Sequence, residues 1–216
     1  VTTLITGLQL TLPLSSTDPQ YFADYIVEHC LLKPERDYFF GKLPGTRYAS
    51  QYYLANALYN QDFLARVAEG FYQLVEERVG HFNFQLTGRA WSAIPLLVAL
   101  PAYLRLRGIN VPAFMIKRER KTYGIHNFVE GQIDRSRPVL IVDDLCNSTN
   151  SFIHCRDVCL KEENLVLLPY IFAVLNKYLP SRDGDISYDR HLREDYKTLY
   201  LCHGDDIRAA KERRLK

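Results

Sequence analysis

From Gln61 to Arg78 apolar side chains recur at Phe63, Leu64, Val67, Phe71, Leu74 and Val75, with charged residues between them. That spacing predicts an amphipathic helix that buries one face. Residues 17–32, TDPQYFADYIVEHCLL, predict another: Thr17 and Asp18 are cap candidates, Pro19 suits the opening turn, and Phe22, Tyr25, Ile26 and Cys30 make an approximate apolar face. Between them, Gly41, Pro44 and Gly45 mark turns, and SQYYLANAL reads as a strand. The rhythm then changes. HFNFQLTGR reads as a short strand, WSAIPLLVALPAYLRLRG as a helix closing at Gly108, and VPAFMIKRER as a strand running into charge. RPVLIVDDL is a buried strand, NSTNSFIHCRDVCLKEE a helix and LVLLPYIFAVLN another buried strand. The tyrosine-rich DISYDRHLREDYKTLYLCHGDD predicts an extra strand and helix, with Asp205 and Asp206 at the helix start. Strands alternating with helices predict an α/β fold with a doubly wound, mostly parallel sheet. Such sheets bind ligands beyond the C-terminal ends of their strands, so the residues there carry the functional question.

Composition narrows the classes. The 216 residues are 47% hydrophobic and 24% charged, enough for a large core without disulfides or structural metal. The formal charge of +2 carries no global nucleic-acid signature. Five cysteines, Cys30, Cys146, Cys155, Cys159 and Cys202, show no CxxC pair, so free thiols and a cytoplasmic setting are expected rather than a zinc site. No stretch is apolar enough to span a bilayer, and no signal peptide is expected from the N-terminus.

The most informative segment is Val139-Leu140-Ile141-Val142-Asp143-Asp144-Leu145. Adjacent carboxylates at the end of a buried strand repel each other and are costly to desolvate, so they are kept to serve hydroxyls, a metal or a cation. Read from the residues alone, one aspartate capping the next helix and the other pairing with a basic side chain is also open. Cys146-Asn147-Ser148-Thr149-Asn150-Ser151 follows and leads into a helix. Small hydroxyl and amide residues at a helix N-terminus suit a phosphate, because backbone N–H groups converge there and the macrodipole favours an anion.

VLIVDDLCNSTNS resembles the phosphoribosyl-pyrophosphate (PRPP) binding motif of the type I phosphoribosyltransferases, and three further segments follow that family in order. Gly88-Arg89-Ala90-Trp91-Ser92-Ala93-Ile94-Pro95 resembles the pyrophosphate loop of orotate phosphoribosyltransferases, with Ser92 and Ala93 replacing a lysine and a glycine. Lys117-Arg118-Glu119-Arg120-Lys121-Thr122-Tyr123-Gly124, followed by Asn127-Phe128-Val129-Glu130-Gly131, resembles their basic catalytic loop, with Tyr123 in place of histidine. Lys42 to Tyr53 resembles the N-terminal hood, where Arg47, Ser50 and Tyr52 are candidates. The resemblance covers roughly residues 35 to 175.

The resemblance implies one domain: a hood over about 1–58, a core over about 59–180 and a C-terminal extension over about 181–216. It implies catalytic Asp143, Asp144 and Lys121, the aspartates anchoring ribose and meeting Mg²⁺ through the ligand. Asn147, Ser148, Thr149, Asn150 and Ser151 would hold the 5-phosphate; Gly88, Arg89, Ser92, Lys117, Arg118 and Tyr123 would face pyrophosphate. The implied partners are PRPP or a phosphoribosyl nucleotide, a pyrimidine-like or other nitrogenous base, and a second copy or larger assembly. The family's loop glycine falls on Thr149; because a β-branched residue is poorly suited to positive φ, the left-handed turn is expected to move to Asn147 or Asn150. Substitutions at Ser92, Ala93, Thr149 and Asn150 leave two functions open: a glycosyltransferase, or a degenerate module that senses a nucleotide or serves as an effector subunit.

Overall fold

The computed structural model describes residues 18–32, 39–40, 47–48, 51–120, 127–147, 149–177 and 195–215. Helix α1 (Pro19–His29) opens where Asp18 accepts the Gln20 N–H at 3.0 Å, and it buries Phe22, Ala23, Ile26 and Val27. Two short antiparallel ribbons follow, β1 (Leu31–Leu32) with β4 (Gln51–Tyr52) and β2 (Phe39–Phe40) with β3 (Arg47–Tyr48). The strand expected over SQYYLANAL is therefore only two residues long. Ala55–Leu58 winds instead into the short helix α2, because Leu54, Ala57 and Leu58 bury together at helical spacing. Helix α3 (Gln61–Arg78) has the anticipated length and starts at Asn60, whose side chain accepts the Phe63 N–H at 3.0 Å.

The body alternates thereafter: β5 (Gln85–Arg89), α4 (Ile94–Leu106), β6 (Ala113–Ile116), β7 (Val129–Glu130), β8 (Val139–Cys146), α5 (Asn150–Asp157), β9 (Leu167–Asn176), β10 (Lys197–His203) and α6 (Gly204–Arg214). A π-helical turn, Val158–Glu162, prolongs α5. Six strands form one sheet in the order β10-β9-β8-β5-β6-β7, parallel except for β7 at one edge. After β5 the chain adds β6 on one side, then returns to lay β8, β9 and β10 on the other. The sheet therefore reverses its direction of growth between β5 and β8, the position at which open α/β sheets form a ligand crevice beyond the strand ends.

Strand alternation sorts the core into two layers. Leu86, Leu140, Val142, Phe172 and Val174 face Phe22, Phe63 and Phe71, with Phe71 edge-on to Phe172 at 4.9 Å. Val139, Ile141, Ile171 and Ala173 face Phe152, Cys155, Val158 and Cys159 on the opposite side. All five cysteines are buried free thiols. Among the described residues no helix is long and apolar enough to cross a membrane.

The C-terminal segment is built into this body. β10 pairs in parallel with β9, and α6 lies against α1, where Arg213 meets Asp24 at 2.7 Å and Arg214 meets Glu28 at 2.6 Å. Asp205 and Asp206 stand in the first turn of α6, as the sequence anticipates. His203 closes a capping box there: Asp206 accepts its N–H at 2.7 Å, and its ring Nδ1 accepts the Asp205 N–H at 3.3 Å. Asp206→Ala is expected to cost about 1 kcal/mol, read as a lower urea midpoint at unchanged slope.

Candidate functional site

β5 and β8 pair from Gln85↔Val139 to Thr87↔Ile141. Beyond that point the loop leaving β5 and the last residues of β8 frame the crevice. Adjacent strand residues point to opposite faces, which is how the chain tolerates two neighbouring aspartates. Asp143 turns toward α5, where its charge acts on Cys155; Asp144 turns toward the larger core's rim, where its charge acts on Cys30.

Asp143 is 3% exposed and tightly braced. Its Oδ1 accepts the Ser92 hydroxyl at 2.6 Å and the Asp144 N–H at 2.9 Å, and Ser151 bonds to the same carboxyl. Burial pushes the Asp143 carboxyl up from its ordinary value, while these hydrogen bonds hold it down. Asp144, half-buried, is pushed well up, first by burial and second by the negative charge of Asp143. Asp144 is thus the member of the pair with an open side, and it favours a partner that donates hydrogen bonds or brings positive charge.

Gly88 makes the brace possible. A Cβ there would stand 2.4 Å from the Ala93 Cβ and 2.5 Å from the Val142 carbonyl oxygen, so only glycine lets the loop fold back onto β8. The Ala90–Trp91 peptide within this loop is cis. Trp91 stands 82% exposed at its tip, and α4 begins directly after it. Arg89 is half-buried on the α5 side, where its charge acts on Cys155.

The loop after β8 departs from the expectation at one residue. Thr149 itself takes the left-handed conformation, φ 58° and ψ −6°, and is 2% exposed; Asn150 opens α5. The corner is fixed by where a buried strand end must meet a helix, and not by which neighbour tolerates the angle best. Holding a β-branched residue there costs about 1–2 kcal/mol. The Thr149 side chain makes no capping bond to α5, and the first turn carries no acidic residue, so its N–H groups face the crevice end with the dipole's positive pole. Asn147 is half-buried beside them, and the Ser151 hydroxyl is engaged by Asp143. Ser148 lies outside the described residues, as do Lys121 and Tyr123.

The basic run leads away from the crevice. The Lys117 ammonium, 11% exposed, donates to Asn127 at 2.8 Å and faces Glu130 at 3.7 Å. The Lys117 carbonyl accepts His154 Nε2–H at 2.9 Å on the flank of α5. Arg120 pairs with Glu162 and lies over the Phe128 ring at 4.8 Å. Glu162 stands at the far end of the α5 rod, roughly 18 Å from Asn150 at helical rise. Arg118 is exposed.

In the hood, the Arg47 side chain and Ser50 lie outside the described residues. Tyr52 has a setting that sequence reading missed. The Lys177 and Lys211 ammoniums lie 4.8 Å and 5.1 Å from its ring centre, and the Lys177 N–H donates to the Cys146 carbonyl at 2.9 Å beside the end of β8. Lys177 directly follows a buried strand, as Asn147 does, but a lone lysine there carries no motif.

No family model matches the chain. It is 27% identical over 137 residues to the orotate phosphoribosyltransferase of Coxiella burnetii (strain RSA 493 / Nine Mile phase I), a match covering 62% of this chain. The chain spans 61% of that relative's length. The orotate phosphoribosyltransferase of Mycobacterium tuberculosis H37Rv, solved with Fe(III) dicitrate, superposes with a TM-score of 0.65 at 14% identity, over 89% of this chain and 99% of that one. The same mycobacterial protein in complex with PRPP gives 0.60 at 13% identity, over 90% and 93%. The chain has the type I phosphoribosyltransferase fold, and it is similar in sequence and in structure to orotate phosphoribosyltransferases.

Proposed function

We propose that the chain binds the 5-phosphoribosyl group, presented by PRPP or by a phosphoribosyl nucleotide, in the crevice between the ends of β5 and β8. The observation that carries this reading is an aspartate pair at the sheet's reversal point, its Asp143 braced by Ser92, followed closely by the N-terminus of α5, where the Thr149 side chain makes no capping bond. Asp144 accepts the ribose hydroxyls, whose donors relieve its repulsion with Asp143. The first-turn N–H groups of α5 take the 5-phosphate. Asp143 holds the loop after β5 and the start of α5 at fixed positions around the sugar. A protein of the same fold, the orotate phosphoribosyltransferase of Mycobacterium tuberculosis H37Rv, is solved in complex with PRPP, which supports the choice of ligand.

In the transfer that the likeness implies, the bond from ribose C1 to diphosphate breaks, the electron pair leaves with diphosphate, and a base ring nitrogen forms the new bond. The protein's part is to fix the sugar and to offset charge. Mg²⁺ fits this donor set as a cation that arrives with a diphosphate ligand. Among the described residues no three histidine, cysteine or acidic side chains converge on one point, and Mg²⁺ takes one or two carboxylates with phosphate and water oxygens. Asp144 would meet it through the ligand, where it would neutralise phosphate charge.

Calorimetric titration with ribose 5-phosphate tests the reading. Asp144→Asn is expected to weaken binding about tenfold or more, the order of a lost charge-assisted hydrogen bond. Equal affinity in the two proteins would sink it.

A further inference from the structure

We infer that the chain carries a second small-molecule site, distinct from the crevice, that takes a planar aromatic anion. It lies where the last turn of α3 meets the first residues of β10, as a cavity of about 620 Å³. That size falls within the range of small-molecule sites. Tyr170 on its wall precedes Asn176 by six residues on β9, so the cavity sits roughly 20 Å from the strand ends that frame the crevice.

The walls suit a flat ring. Leu74 of α3 and Leu199 of β10 supply apolar surface, and Tyr170 and Tyr200 add aromatic surface. The Tyr170 hydroxyl donates to the Arg78 carbonyl at 2.9 Å, one of the acceptors that the end of α3 leaves without a helical partner, so this ring is fixed before any ligand arrives. Leu199 and Tyr200 are neighbours on a strand and point to opposite faces. Both line the cavity because β10 is the outermost strand among the described residues and the cavity wraps its edge. Charge then selects the ligand. Lys197 and Arg78 line the cavity with one acid, Glu77, which already faces Arg78 at 3.1 Å. Lys197 has no carboxylate partner among the described residues. Its ammonium lies 6.0 Å from the Tyr170 ring centre, the outer limit of cation–π attraction. The lining is therefore net positive, and an anion carried by a ring lying on Tyr170 would meet Lys197. Thr198 adds a hydroxyl that can orient it.

The experiment is calorimetric titration of the full chain, in saturating ribose 5-phosphate to fill the crevice, with uridine 5′-monophosphate and with 4-hydroxyphenylacetate. One probe carries its charge as phosphate and the other as carboxylate, so the two arms distinguish the source of the anion. At least one is expected to bind saturably at millimolar concentration. Lys197→Glu should weaken that binding about tenfold or more, by reversing the charge that meets the anion. Tyr200→Ala should weaken it about fivefold, by removing a stacking surface. Both side chains are exposed, so neither change disturbs the core, and ribose 5-phosphate affinity should match wild type in both variants. No saturable binding of either probe, or an affinity unchanged in either variant, overturns the inference. Failure of ribose 5-phosphate itself to bind would sink the reading of the crevice, while loss of probe binding in Lys197→Glu would still uphold the second site.

Discussion

Gly88→Ala is expected to lose about 2–3 kcal/mol of stability, although it adds a single methyl group. The methyl would meet the Ala93 Cβ at 2.4 Å and the Val142 carbonyl oxygen at 2.5 Å, and one of those contacts is backbone that cannot swing aside. Relief requires the loop after β5 to lift from β8. That movement draws Ser92 away from Asp143 and leaves a buried carboxylate short of a donor. Stability and ligand affinity should therefore fall together, measured by urea unfolding and by titration with ribose 5-phosphate. Gly80→Ala is the internal comparison. Gly80 has φ 78° with nothing within 4 Å of its notional Cβ, so that substitution costs only the left-handed conformation, about 1 kcal/mol. A Gly88→Ala protein no less stable than Gly80→Ala would show that the loop is not packed as described.

The second large effect concerns pH. Both carboxyls of the pair are raised by burial above the ordinary value of 3.8, and Asp144 is raised well above it. A raised folded-state pKa means that, in the window above 3.8, the folded chain keeps a proton the unfolded chain has released. The pair's contribution is fully present below that window and is lost as pH rises through the folded-state values. Unliganded protein should thus become more stable as pH falls from neutral toward about 4. Asp134, held low by the Ser136 hydroxyl and N–H, has the opposite sign. So has Asp157, which burial raises but the bonds from Lys161 and Arg156 bring low. Both act below the window. Asp144→Asn should flatten the slope and stabilise the unliganded chain at neutral pH, while weakening ribose 5-phosphate binding. Binding itself should weaken toward acid pH, because hydroxyl donors favour the charged carboxylate. Melting curves from pH 5 to 8 on both proteins decide it; a stability that rises with pH across that range in wild type, or an identical slope in the variant, would contradict the assignment.

Much of this architecture is legible in the sequence, for a physical reason. Buried parallel strands such as Val139–Val142 and helices such as Gln61–Arg78 are written in local apolar periodicity. The aspartate pair announces itself by being out of place at the end of such a strand. What local pattern does not encode is partner choice across long sequence distances. Nothing near Ser92 points to Asp143, nothing near Arg120 points to Glu162, and nothing near Tyr52 points to Lys177 and Lys211. The two short hood ribbons and α2 fail for a related reason. A segment of a few residues holds too few apolar repeats to distinguish a ribbon from a helical turn, and its state is set by what it packs against. Thr149 shows the converse, a residue whose local preference is overruled by the corner it occupies.

The clasp between α1 and α6 bears on how the chain assembles. Arg213 and Asp24 are 189 positions apart, yet their helices share one face of the core with Phe22, Ile26, Ile207 and Ala210. During synthesis α1 emerges with its oily side bare before any strand of the six-stranded sheet, and the element that covers it is made only after all of them. β5 likewise waits for β8 before the centre of the sheet can close. Such non-local closure is slow and leaves sticky surface open in the interim. Until α6 is out, the early part of the polypeptide is a natural client for a holding chaperone.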